Sequence, residues 1–188
     1  MTDAPDSQDP KPGPAPLRTA VQGRGREGDA GEATVEAGVF IETTVSGRLA
    51  RVVGAGEWIL DEGFWLTDGQ YRETRSDPEA RAAASARQTQ VLKARVDCLM
   101  SHSGGARLAD LLSTLHGCLG RDRLTVTQQA LADLLGRRRA TINEGLQALQ
   151  DRKIIRIGRG RIEVCDGAGL AGAACGCESR WLRGRSVA

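Results

Sequence analysis

The stretch "LTVTQQALADLLGRRRATINEGLQAL", residues 124–149, constrains the fold more than any other part of the chain. Val126 to Leu135 reads as one helix, with Thr127 as its N-cap and Ala130, Leu131, Leu134 and Leu135 as its apolar face. Gly136 stands where a left-handed turn residue is wanted. A second helix runs from Arg138 to Asp151 and buries Ile142, Leu146 and Leu149. Two helices joined by so tight a turn need a small side chain at their crossing, here Ala132. They also need a turn glycine four residues later, Gly136, and an apolar residue six beyond that, Ile142. All three positions match, so the spacing predicts a helix-turn-helix.

The segment that follows, "KIIRIGRGRIEV" at 153–164, reads strand–turn–strand. Ile155, Ile157, Ile162 and Val164 alternate as apolar positions, and "GRG" at 158–160 turns the hairpin. A hairpin in this place is a wing, and wings lie along a sugar–phosphate backbone. Arg156, Arg159 and Arg161 suit that role, because neutralising phosphates supplies much of the affinity for DNA. Arg138 and Arg139 open the second helix, where side chains meet base edges and an arginine fork fits guanine. Asn143 lies one turn further on and pairs well with adenine, with Gln147 next along the same face. Thr127, Gln128 and Thr141 are placed for phosphates, and Arg137 joins them in that set. The charge distribution agrees. Residues 121–188 hold 13 Lys+Arg against 7 Asp+Glu, a net +6, on a whole chain of +2.

Residues 124–177 resemble the C-terminal domain of Crp/Fnr-type bacterial transcription regulators. "HSGGARLADLLSTLHGCLG", residues 102–120, resembles the helix that precedes that domain. Residues 79–102 occupy the place of the family's long dimerisation helix. The resemblance covers 75–188 less the extreme tail and is specific between 98 and 177. It implies a homodimer that sets two recognition helices in successive major grooves of double-stranded DNA, with RNA polymerase as a further expected partner. Two departures shape the expectation. Family members place a complete cyclic-nucleotide-type β-roll before the long helix, and the segment here is shorter and lacks the "GE…RSA" cassette. Ala140, Asn143 and Glu144 replace the frequent Glu–x–x–Ser–Arg reading set. The resemblance therefore implies a shortened sensor, no cyclic-nucleotide effector, no cofactor and an operator of its own.

Upstream, "SDPEARAAASARQTQVLKARVDCLMSH" opens with an Asp–Pro–Glu start and predicts a helix to His102. Leu92, Val96 and Leu99 fall at i, i+4 and i+7, an apolar stripe that serves as the expected dimer interface. Residues 104–120 form another helix, with Leu108, Leu111, Leu112 and Leu115 on one face and Gly117 and Gly120 ending it. Residues 33–74 carry short β-branched or aromatic runs between glycines, which reads as a few strands. Five of the six Phe, Tyr and Trp residues fall there (Phe40, Trp58, Phe64, Trp65, Tyr71) and are expected to pack. Five of the six prolines precede residue 17, and 1–32 reads as a disordered tail.

The expected architecture is therefore α+β and mainly helical. A tail (1–32) leads to a β-rich remnant of a sensor domain (33–74) and a dimerisation helix (75–103). A winged helix-turn-helix domain (104–177) and a basic tail (178–188) complete it. An acid- and proline-bearing N-terminus, with no apolar run long enough to cross a bilayer, gives the expectation of a cytoplasmic protein without membrane contact. Cys98, Cys118, Cys165, Cys175 and Cys177 fit reduced thiols. "CGC" at 175–177 has neither a CxxC partner nor a histidine close in sequence, since His102 and His116 are distant, so no metal site is expected and a structural or incidental role is, with a redox or iron–sulfur role as the alternative left open. No nucleophile–base pair, metal set or phosphate loop supports an enzyme. A second reading stays open: an interaction protein that forms mixed dimers with a full-length relative, with DNA binding secondary.

Overall fold

The computed structural model describes residues 17–25, 32–74 and 78–178. Its N-terminal part is built from seven strands: β1 (Leu17–Ala20), β2 (Glu32–Ala37), β3 (Phe40–Thr43), β4 (Leu49–Val53), β5 (Trp58–Ile59), β6 (Gly63–Trp65) and β7 (Gly69–Thr74). They make two antiparallel sheets, ordered β1-β7-β2-β5 and β4-β3-β6. This is more β-structure than expected. The expected tail includes residues 17–20, yet Leu17–Ala20 pairs with Gly69–Arg72 along β7. Such a pairing joins residues about 50 positions apart, and four residues with no apolar alternation carry no local trace of it. The rest of the expected tail, 1–16 and 26–31, lies outside the described residues.

The sheets enclose Ala33, Val35, Phe40, Val53, Ile59, Trp65 and Tyr71. Phe40 meets Trp65 edge-on with ring centroids 5.4 Å apart, and Trp65 lies 5.8 Å from Tyr71. These three aromatics are therefore packing residues, as the sequence suggested. One ion pair is buried among them. Glu42 is fully buried and Arg51 is 8% exposed. Arg51 donates to both Glu42 oxygens at 2.8 and 2.9 Å and also to the Trp58 carbonyl. Glu42 Oε1 takes the Leu60 N–H at 2.7 Å as well. Gly63 pairs with Glu42 in register, and a side chain there would meet the Ile41 carbonyl oxygen at 1.9 Å. Only glycine permits so close a strand contact.

The long helix α1 (Pro78–Ser101) spans about 36 Å at 1.5 Å per residue, yet only Val91 and Cys98 along it are buried. After it come α2 (Gly104–Leu119), β8 (Arg123–Leu124), α3 (Gln128–Leu135), α4 (Arg139–Asp151), β9 (Ile155–Gly158), β10 (Arg161–Val164) and α5 (Gly167–Ala173). Ser103 caps α2 by accepting the Ala106 N–H, and Gly120 closes it in the left-handed region. Gly117 lies inside α2 and does not end it. Leu108, Leu111, Leu112 and Leu115 of α2 join Leu131, Leu134, Leu135, Ile142, Leu146 and Leu149 in one core. That same core takes in Val39, Ile41, Leu49, Val52 and Leu66 from the strands. The β-rich part and the helical part are thus welded by shared apolar burial. No helix among the described residues is long and apolar enough to cross a membrane.

Candidate nucleic-acid interface

Each local signal in the 124–164 stretch has its physical counterpart. Thr127 caps α3, its hydroxyl accepting the Ala130 N–H at 3.1 Å. Gly136 adopts φ 62° and ψ 39°, the left-handed geometry that glycine enters without Cβ strain. The turn closes when Arg137 N–H donates to the Ala132 carbonyl at 2.9 Å. Ala132 and Ile142 are buried at the crossing. Leu108 of α2 presses close to Gly145, so α4 is seated by its inner face alone. Its outer face is free: Arg139, Thr141, Asn143 and Gln147 are all exposed.

The exposed residues are not equivalent. Asn143 Oδ1 accepts from Gln128 Nε2 at 3.3 Å, so the start of α3 steadies the second candidate reader on α4. Gln147 donates to Asp151 at 3.2 Å, one turn further from the helix start. Arg138 is the N-cap residue of α4, and its side chain is exposed. Arg137 points elsewhere. Its Nε lies 3.7 Å from where a Gly104 side chain would begin, over the start of α2 and away from Arg139.

The hairpin forms, with Ile157 opposite Ile162 and Ile155 opposite Val164. Gly160, at φ 68°, supplies the turn. A third strand that the sequence did not suggest, β8, pairs with β10 through Leu124 and Ile162. Arg156 is partly neutralised across the hairpin by Glu163 at 3.1 Å, whereas Arg159 stands exposed at the tip. Between hairpin and helices runs a cleft of about 410 Å³, lined by Thr127, Gln128, Arg139, Arg159, Arg161 and neighbouring residues. The geometry thus gathers Thr127, Gln128, Arg139, Arg159 and Arg161 on one concave surface and sets Arg137 apart.

One tie across the fold escaped the sequence. Arg48, in the β3–β4 turn, donates to the Asp133 carbonyl at 2.8 Å and lies 3.5 Å from where a Gly136 side chain would begin. It ties the strand domain to the helix-turn-helix turn. No local pattern links residues 85 positions apart. Leu92, Val96 and Leu99, the expected dimer stripe, are all exposed, and Met100 beside them is 84% exposed. The separation of His102 from Cys175 and Cys177 is corrected as well: the fold brings His102 Nδ1 to 3.6 Å from Cys177 Sγ.

Residues 106–173 match the Crp-like helix-turn-helix domain. Among solved structures, a CRP-family transcriptional regulator from Thermus thermophilus is similar over 85% of this chain and 94% of its own, at 21% identity and a TM-score of 0.61. A second regulator of the CRP/FNR family from the same bacterium has 20% identity and a TM-score of 0.64, over 85% of this chain and 98% of its own. FixK2 from Bradyrhizobium japonicum reaches a TM-score of 0.65 at 14% identity, over 86% of this chain and 98% of its own. None of the curated proteins matches the chain in sequence. The chain therefore carries a Crp-like helix-turn-helix domain at residues 106–173, set within the fold of the Crp/Fnr transcriptional regulators.

Proposed function

We propose that the protein is a sequence-specific DNA-binding transcription regulator that acts as a homodimer without a cyclic-nucleotide effector. The observation that carries this reading is the concave surface formed by the start of α3, Arg139 at the start of α4 and the hairpin, with the exposed face of α4 beside it. Arg138, Arg139 and Asn143, with Gln147 at the margin, are the base-reading set; Gln128 orients Asn143. Thr127, Gln128, Thr141, Arg156, Arg159 and Arg161 hold the backbone, with the hairpin as a wing. Arg137 contributes long-range charge and braces α2 more than it touches DNA.

Two further observations support the proposal. The lower half of α1 leaves Leu92, Val96, Leu99 and Met100 exposed, four large apolar side chains whose burial against a second copy stabilises a dimer. Inside the sheets, Phe40, Trp65 and Tyr71 fill the space, and the buried Arg51 guanidinium is already taken by Glu42. An effector phosphate would have to displace that carboxylate.

Arg159→Ala tests the wing. Affinity for specific and random duplexes is expected to fall alike, and the slope of log K against log salt to flatten by about 1. Fluorescence anisotropy at several salt concentrations reads both. An unchanged slope removes the wing from the contact surface.

A further inference from the structure

Three cysteines and one histidine that the proposed DNA-binding function does not use meet at one point. Cys98 and His102 lie on the last turns of α1 and just past its end, four positions apart and so on one face. Cys175 and Cys177 follow α5, with Gly176 between them at φ 73° turning both side chains to the same side. Cys98 Sγ lies 3.6 Å from Cys175 Sγ, and Cys177 Sγ lies 3.6 Å from His102 Nδ1. All four ligand atoms fall within 4.8 Å of one another.

We propose that Cys98, His102, Cys175 and Cys177 form a mononuclear tetrahedral metal site, with zinc as the fitting ion, that fastens the segment after the helix-turn-helix domain to the end of the long helix. Zinc–sulfur bonds of about 2.3 Å and zinc–nitrogen bonds of about 2.0–2.1 Å put neighbouring ligand atoms on a tetrahedron roughly 3.6–3.8 Å apart. The two 3.6 Å separations match those edges. A cluster of two or four irons spreads its thiolates over separate metal atoms and needs a wider ring. Soft thiolates in a four-ligand set select zinc over the hard, oxygen-seeking cations.

The surroundings fit a site of this charge. A divalent ion with three thiolates and a neutral imidazole carries one net negative charge. Arg95 and Arg107 flank it, both interacting electrostatically with Cys98 and Cys175. Arg95 Nε and Arg107 Nη1 are buried donors without a hydrogen-bond partner, which thiolate sulfurs would accept. Asp110 Oδ2 accepts the Glu178 N–H at 2.8 Å, holding the chain next to Cys177, and the 3.2 Å bond it takes from the Cys175 S–H is given up when that sulfur binds the ion as a thiolate. A cavity of about 20 Å³ lined by Arg95, Cys98, Arg107, Asp110 and Cys177 adjoins the cluster.

Cobalt(II) is the probe. Titrated into the full, reduced chain under anaerobic conditions, it is expected to bind at one ion per chain. Intense tetrahedral bands with sulfur-to-cobalt charge transfer should appear and vanish on adding zinc. His102→Ala, at an exposed position that leaves folding intact, is expected to weaken cobalt affinity by at least about 100-fold, and Cys177→Ser likewise. Cys165→Ser, at an exposed cysteine outside the cluster, leaves the spectrum and affinity unchanged. Zinc should raise the melting temperature of the parent chain and not that of His102→Ala. A weak octahedral spectrum, full affinity in His102→Ala, or bound iron with inorganic sulfide each overturns the proposal. So does a reduced chain that takes up no metal and whose Cys98 and Cys175 are converted quantitatively to a disulfide when dioxygen is admitted as the oxidant.

Discussion

Replacing Arg51 with methionine is expected to cost about 3–5 kcal/mol of folding stability, the penalty for orphaning one partner of a buried ion pair. Methionine fills the volume of the arginine stem, so the loss reports charge and not a cavity. Glu42, fully buried, would retain, among the described residues, only the Leu60 and Asp61 N–H groups, at 2.7 and 3.3 Å. The Trp58 carbonyl would lose its donor as well. For a domain stable by about 5–15 kcal/mol, that is a large share. Removing both charges, as Glu42→Leu with Arg51→Met, should recover part of the loss but not all of it. The Leu60 and Asp61 N–H groups then face an apolar side chain. Urea unfolding of the three variants decides the matter. A loss below about 1 kcal/mol for Arg51→Met would show that water reaches Glu42 and that the pair is not structural.

Arg139→Ala is the second large effect, expected on recognition and not on folding. Arg139 is the first residue of α4, exposed, and on the wall of the cleft shared with the hairpin. A guanidinium fork at a recognition-helix start fits guanine O6 and N7. Its loss should weaken specific binding by roughly 1–3 kcal/mol and relax preference at one base position. Arg139→Lys should keep the charge but lose the two-pronged contact, falling between parent and alanine. Uniform weakening across all sequences would make Arg139 a phosphate contact instead. Because Gln128 holds Asn143, Gln128→Ala should loosen discrimination at the neighbouring position without removing it.

The difference between what could and could not be read from the chain follows sequence separation. The helix-turn-helix was legible because Thr127, Ala132, Gly136 and Ile142 lie within 16 residues and each answers a local need: a cap, a crossing, a turn, a seat. The hairpin was legible because Ile155, Ile157, Ile162 and Val164 alternate across a glycine turn. The β-rich part was understated. Its strands run to six residues at most, and β1 finds its partner some 50 residues away. Neither the Arg48–Asp133 tie nor the shared core of Val39, Ile41 and Leu49 with α2–α4 leaves a periodic mark. The cysteine–histidine cluster was not legible: no metal site is expected from the sequence, Cys98 and His102 are only four residues apart across the end of α1, and only the fold brings Cys175 and Cys177 to them.

Selection of bound duplexes from a random-sequence pool by the full chain tests the central claim most directly. A dimeric reader with two copies of α4 in successive major grooves predicts enrichment of a pseudo-palindrome. Its half-sites should lie about 10–10.5 base pairs apart, and the complex should have the mass of two chains on one duplex. Retention of all sequences alike, or of a single half-site by one chain, would contradict it.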